Sequence, residues 1–124
     1  GNVRSSQAEW IEAKYLYNKA ALTNPGFAMA RSSKALATYQ LGKLDEAELE
    51  LRNLIRRYPM MADARAALCA LLWHQGLDGE AESNWAATAG LDNRYREYEW
   101  LLEIRRWPPQ PTKDLMAFLA MERR

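Results

Sequence analysis

Apolar residues recur three and four positions apart along most of this chain, and glycine or proline interrupts each stretch in which they do so. Over Ser6–Leu22, the residues Trp10, Ala13, Tyr17 and Ala20 fall on one helix face. Asn24-Pro25-Gly26 then stops the helix, because proline cannot continue the backbone ladder. The same pattern predicts helices over Phe27–Leu41, Leu44–Tyr58, Met61–Gln75 and Leu77–Ala89, with Gly42 and Gly76 as the turns inside two helix pairs. Asp45 and Glu46 suit the positive start of one helix, and Asp78 the start of another. Arg94–Trp107 is helical in pattern too, with Tyr98, Leu101, Leu102 and Ile104 expected inside. Pro108-Pro109-Gln110-Pro111 reads as a non-helical break. Thr112 is then the expected N-cap, with Asp114 in the first turn, of a last helix Lys113–Glu122. Its Leu115, Met116, Phe118 and Leu119 are expected to cover the open end of a stack of helices.

The pattern repeats. Pro25 and Pro59, Gly42 and Gly76, and Ala47 and Ala81 each stand 34 positions apart. That interval belongs to helix-turn-helix repeats, in which each pair buries its apolar side only by stacking on a neighbour. The predicted fold is all-α, a helical-repeat solenoid of antiparallel pairs with about seven helices. Residues 1–124 form one domain: 6–25 the second helix of an earlier repeat, 28–61 and 62–93 full repeats, 94–107 a capping helix and 112–122 a C-terminal helix.

The residues at the repeated positions resemble the tetratricopeptide repeat (TPR) family. One repeat supplies Ala35, Tyr39, Gly42, Ala47, Leu51 and Pro59; the next supplies Leu68, Cys69, Trp73, Gly76, Ala81 and Trp85, with Asn93 where proline would fall. Lys34 and Arg65 depart from the family's usual apolar and aromatic positions. The resemblance implies a concave wall built from first helices. Met29, Ser32, Leu36, Tyr39 and Gln40 would line it, then Asp63, Ala66, Ala70, Trp73 and His74, then Glu97, Trp100 and Ile104. Chaperone-binding relatives clamp a partner's terminal carboxylate with lysine and asparagine. Ser32, Leu36, Ala66, Ala67 and Ala70 stand at those positions here and supply no charged donor. An apolar-to-aromatic groove suits a peptide with hydrophobic anchors instead, and Tyr39 and Trp73 read equally as anchor or as core.

Composition narrows the function. Lys and Arg number 17 against 16 for Asp and Glu, which disfavours a dedicated nucleic-acid binder. With 48% hydrophobic and 27% charged residues the chain is neither disordered nor membrane-spanning, and no apolar run approaches the roughly 20 residues a span needs. Opening on Gly1 without Met, it reads as part of a longer parent, whose transit peptide or anchor would lie outside it. A single cysteine excludes an internal disulfide and fits a reducing compartment. His74 and Cys69 lie five apart on one predicted helix, so they do not share a stripe, and Cys69 falls where the repeat packs a small residue. There is no phosphate loop, metal-ligand cluster or nucleophile motif; the expectation is no catalysis, no cofactor and no metal.

Ala62–Trp73, Asn93–Pro109 with its Glu-Ile-Arg-Arg-Trp-Pro-Pro ending, and Leu115–Leu119 resemble the chloroplast low-photosystem-II-accumulation proteins of plants and green algae. That resemblance implies a scaffold at the stromal face of the thylakoid membrane. It would assist accumulation of the reaction-centre D1 protein, a photosystem II core subunit. Two alternatives stay open at this point: a generic TPR adaptor or co-chaperone in another pathway, and an RNA-binding helical repeat acting in chloroplast translation.

Overall fold

Gly42 and Gly76 both adopt left-handed backbone, at φ 85° and 82°, and each ends its helix by the same bonds. The Gly42 N–H donates to the Tyr39 carbonyl at 2.9 Å and the Lys43 N–H to Thr38 at 3.2 Å; Gly76 and Leu77 do the same to Trp73 and Leu72, both at 2.9 Å. A Cβ at either glycine would meet nothing within 4 Å. Backbone conformation, not lack of room, therefore selects glycine at these two turns.

The computed structural model describes residues 2–23 and 27–122. The stop at Asn24-Pro25-Gly26, with the first member of the proline pair, lies outside the described residues. The chain is all-helical, and no strand occurs among the described residues: α1 Asn2–Thr23, α2 Ala28–Gln40, α3 Leu44–Arg57, α4 Ala62–His74, α5 Asp78–Leu91, a 3-10 turn Asn93–Arg96, α6 Tyr98–Glu103 and α7 Pro109–Glu122. Pairs α2–α3 and α4–α5 are helical hairpins closed by the two glycine turns, and α1 lies along α2. Ala47 and Ala81 are fully buried, which is what close approach of paired helices requires. On α3 the core face is Ala47, Leu51 and Leu54; Asp45 and Glu46 open the helix, and Arg56 and Arg57 close it on the solvent side, as its dipole favours.

α4 is different, because it is buried nearly all round. Ala64 and the run Ala66–Leu72 are at most 3% exposed, and α2, α3, α5 and α7 all pack on this one helix. Cys69 is fully enclosed there, and burial pushes its thiol well above the ordinary range, so it acts as a small core residue. Three ion pairs lace adjoining helices from outside: Lys14–Glu46 at 3.2 Å, Lys34–Glu50 at 3.7 Å and Arg52–Glu80 at 2.8 Å. The outer side of α1 leaves Ile11, Tyr15 and Leu22 exposed.

The C-terminal third departs from the expectation in three ways. Arg94–Trp107 is not one helix. Asp92 accepts the Arg94 N–H at 3.0 Å and starts the 3-10 turn, Glu97 is extended at φ −94°, ψ 111°, and only Tyr98–Glu103 is α-helical. This rotates the face: Tyr95 and Leu101 go inside, while Tyr98 and Ile104 are 53% and 63% exposed. The prolines, second, do not hold the chain out of a helix. α7 begins at Pro109, since the first turn needs no N–H from Pro109 or Pro111. Thr112 is thus inside the helix rather than capping it, its Oγ1 donating to the Pro108 carbonyl at 2.8 Å. The reversal comes earlier, at Arg106, whose φ is 57°. The third departure is where α7 goes: it lies across α4 and α2.

Candidate functional site

The wall expected to be concave and open is instead covered by the protein's own C-terminal segment. Two buried carboxylates hold that segment in place. Asp63, in the first turn of α4, is 1% exposed. Its Oδ2 accepts the Ser32 hydroxyl of α2 at 2.6 Å. Its Oδ1 accepts the Tyr95 hydroxyl at 2.8 Å, the Trp107 indole N–H at 3.0 Å and Arg105 Nε at 3.1 Å. Four donors, one of them the Arg105 guanidinium, compensate the burial of this charge. Burial and the adjacent Asp63 both push the Tyr95 hydroxyl up, so it stays a neutral donor. Arg105 also reaches the Met29 sulfur. Tyr95 meets Trp107 and Trp100 as tilted and edge-on rings with centroids 6.0 and 4.9 Å apart, and Arg94 lies over the Trp100 ring at 4.7 Å.

Asp114 is the second carboxylate. It sits on the buried stripe of α7 with Pro111, Leu115, Phe118 and Leu119, and is 5% exposed. Its Oδ2 accepts the Tyr39 hydroxyl at 2.5 Å and lies 2.9 Å from His74 Nδ1. Its Oδ1 accepts Gln110 Nε2 at 3.0 Å. Burial first, then Asp114, raises the Tyr39 hydroxyl far above its usual range. At the start of α7 the Gln110 backbone N–H, an orphan donor of the helix terminus, is taken by Gln40 Oε1 at 2.7 Å.

The structure thus brings most of the expected wall residues together, as the floor beneath a helix. Ser32, Leu36, Tyr39, Asp63, Ala66 and Ala70 are buried at 5% exposure or less, and Ala67, the other position compared with the chaperone clamp, is buried with them. Trp73 is half-buried against the core, and His74 is on the rim with 38% of its side chain exposed. Glu97, Trp100 and Ile104 do not continue the wall, because the third helix they were assigned to is broken. Glu97 and Ile104 point to solvent, and Trp100 packs on Tyr95. Met29 does meet open space, on a cleft of about 550 Å³ with Ala28, Arg57, Tyr58, Pro59, Met60 and Met61.

Tyr95, Arg105, Trp107 and Asp114 are the site residues that sequence reasoning missed. Asp114 carried a signal: it shares a stripe with Leu115, Phe118 and Leu119, four apart from Phe118, where a lone carboxylate must find partners. No group of three or more His, Cys, Asp or Glu side chains among the described residues could hold a metal ion. No helix among them is long and apolar enough to cross a membrane. No protein-family model matches the chain, and neither a curated protein nor a solved structure matches it.

Proposed function

We propose that this protein is a non-catalytic scaffold of the TPR type that binds a partner polypeptide on the wall made by α2 and α4. One observation carries the reading: that wall already accepts a helix, with apolar residues docked and polar ends paired, which is the helix-in-groove mode of peptide recognition. The twin glycine turns 34 residues apart and the small residues of α4 support the repeat assignment. The Arg105-Arg106-Trp107-Pro108-Pro109 segment, resembling the low-photosystem-II-accumulation proteins, supports a role in photosystem II assembly or repair. The partner on this reading is a core subunit such as the D1 protein, and the place of action is the stromal face of the thylakoid membrane in the chloroplast.

Calorimetric binding to purified photosystem II core subunits, with folded single mutants, tests it. Trp73→Ala, at the half-buried edge of the wall, is expected to lose about 2 kcal/mol or more of binding. Leu49→Ala, on the outer side of α3, is expected to bind as the parent does. The reverse order would place the interaction on the outer side, and no binding by the parent would remove the photosystem II assignment.

A further inference from the structure

The helix that covers the wall also shows what the wall is built to accept. α7 presents one carboxylate to the Tyr39 hydroxyl and His74 Nδ1, and no other acidic side chain among the described residues hydrogen-bonds them. One, four and five positions later, Leu115, Phe118 and Leu119 enter the core, Phe118 meeting Trp85 edge-on at 6.4 Å. Gln40 takes the backbone N–H of Gln110, which fixes the direction of the helix: its N-terminus lies at the C-terminal end of α2. A lysine or arginine in place of Asp114 would bury a cation against the Tyr39 hydroxyl and His74, neither of which carries a negative charge to pair it, so the site favours a carboxylate.

The anchors of α7 are also separate from those of the segment before it. Asp114 and Gln110 bond Tyr39, His74 and Gln40, whereas Trp107 and Arg105 are held by Asp63. No residue is shared between the two sets. None of the four donors to Asp63 lies on α7, which also packs on the 3-10 turn and α6 and whose Thr112 hydroxyl donates to the Pro108 carbonyl.

On the reading of the wall as a binding surface, we infer that α7 is a displaceable resident. The partner's recognised segment is an amphipathic helix of the same chemistry: a carboxylate that meets Tyr39 and His74, with apolar residues one, four and five positions later. The resident helix competes from a short tether, which gives it an effective concentration on the order of millimolar. The intact protein therefore binds such a segment weakly, and weakening the resident strengthens binding in trans.

The test uses the full chain and a fluorescent peptide of the sequence Pro109–Glu122, read by anisotropy. Two full-chain variants weaken the resident without touching the wall, Phe118→Ala and the milder Leu119→Ala. The peptide should bind at least one of them more tightly than the parent, by roughly tenfold or more. The peptide carrying Asp114→Lys should bind that same variant roughly tenfold less tightly than the unmodified peptide. Peptide binding that is no tighter to either variant overturns the inference, since a weakened resident that still cannot be exchanged is a fixed part of the core. Binding indifferent to Asp114→Lys overturns the stated ligand chemistry. Either failure leaves the scaffold reading intact where a photosystem II subunit binds through Trp73. Tight peptide binding without any such subunit would instead remove only the pathway.

Discussion

The two helical hairpins and the C-terminal segment are held by different physics. In α2–α3 and α4–α5, buried alanines and leucines meet between the helices, and two glycine turns with the same backbone hand and hydrogen bonds set the reversal. No single residue there carries much, because the same arrangement is repeated and spread over many contacts. Beyond Asp92 the chain makes only short or interrupted helices until α7, and its attachment depends on two carboxylates, Asp63 and Asp114, each gathering donors from other elements. Repetition gives tolerance, whereas a few buried polar keys give a unique docking geometry at a high cost of error. A groove built the first way and closed the second way can be reopened at one place.

The contrast breaks most sharply at Asp63. Asp63→Ala leaves the Ser32, Tyr95 and Trp107 donors and the Arg105 charge without their acceptor, and about 3–5 kcal/mol of stability should go, read as a shift in the urea midpoint. A loss below about 1 kcal/mol would mean that the cluster is replaced by water at little cost. Asp114→Ala should cost less, about 1–3 kcal/mol, because His74 is on the rim and only the Tyr39 hydroxyl is left fully buried without an acceptor. Equal losses at the two aspartates would contradict the distinction between a fixed and a removable attachment.

The hairpins should give smaller and independent effects. Gly42→Ala and Gly76→Ala meet no steric obstacle and pay only for left-handed backbone, about 1 kcal/mol each. Their double mutant should show the sum in a thermal melt, because the turns share no partner. The smallest effect is a dependence on pH. Glu50 on α3 has a buried Oε1 without a partner, and burial raises its carboxyl above the ordinary value against the pull of Lys34. The folded state then holds this proton more tightly than the unfolded chain, so its contribution to stability is present at low pH and lost as pH rises through the raised value. Glu50→Gln should gain on the parent as pH rises from the ordinary carboxylate value through the raised one. A difference that stays constant across that window would show that Lys34 compensates the burial fully.

The repeated part of the fold was legible because its signals are local. Gly42, Gly76, Ala47 and Ala81 each report a backbone angle or a close approach that their own neighbourhood demands. The C-terminal part was not, because tertiary partners override local preference there. Pro109 and Pro111 look like breakers, yet they stand in the first turn of a helix whose start is held by Gln40, seventy residues earlier than Gln110. Tyr98 and Ile104 fit a buried stripe only if the helix runs unbroken through Glu97, and the pull of Tyr95 toward Asp63 accompanies its interruption. Repeat phase put Ser32, Tyr39, Asp63 and His74 on one side of α2 and α4, and it is there that Tyr39, Asp63 and His74 meet the C-terminal segment. That a helix of the same chain lies there was not readable, because no local pattern says where a terminal amphipathic helix docks.

Native-state hydrogen exchange on the intact protein and on Asp114→Ala tests most directly that α7 is a separately attached cover on the α2–α4 wall. Amides of α7 should exchange much faster in the variant, while those of α4 and the Trp107 indole N–H keep the protection of the parent. If α4, Trp107 and α7 instead speed up together and by the same factor, the C-terminal helix is one cooperative unit with the core, and the wall has no cover to lift.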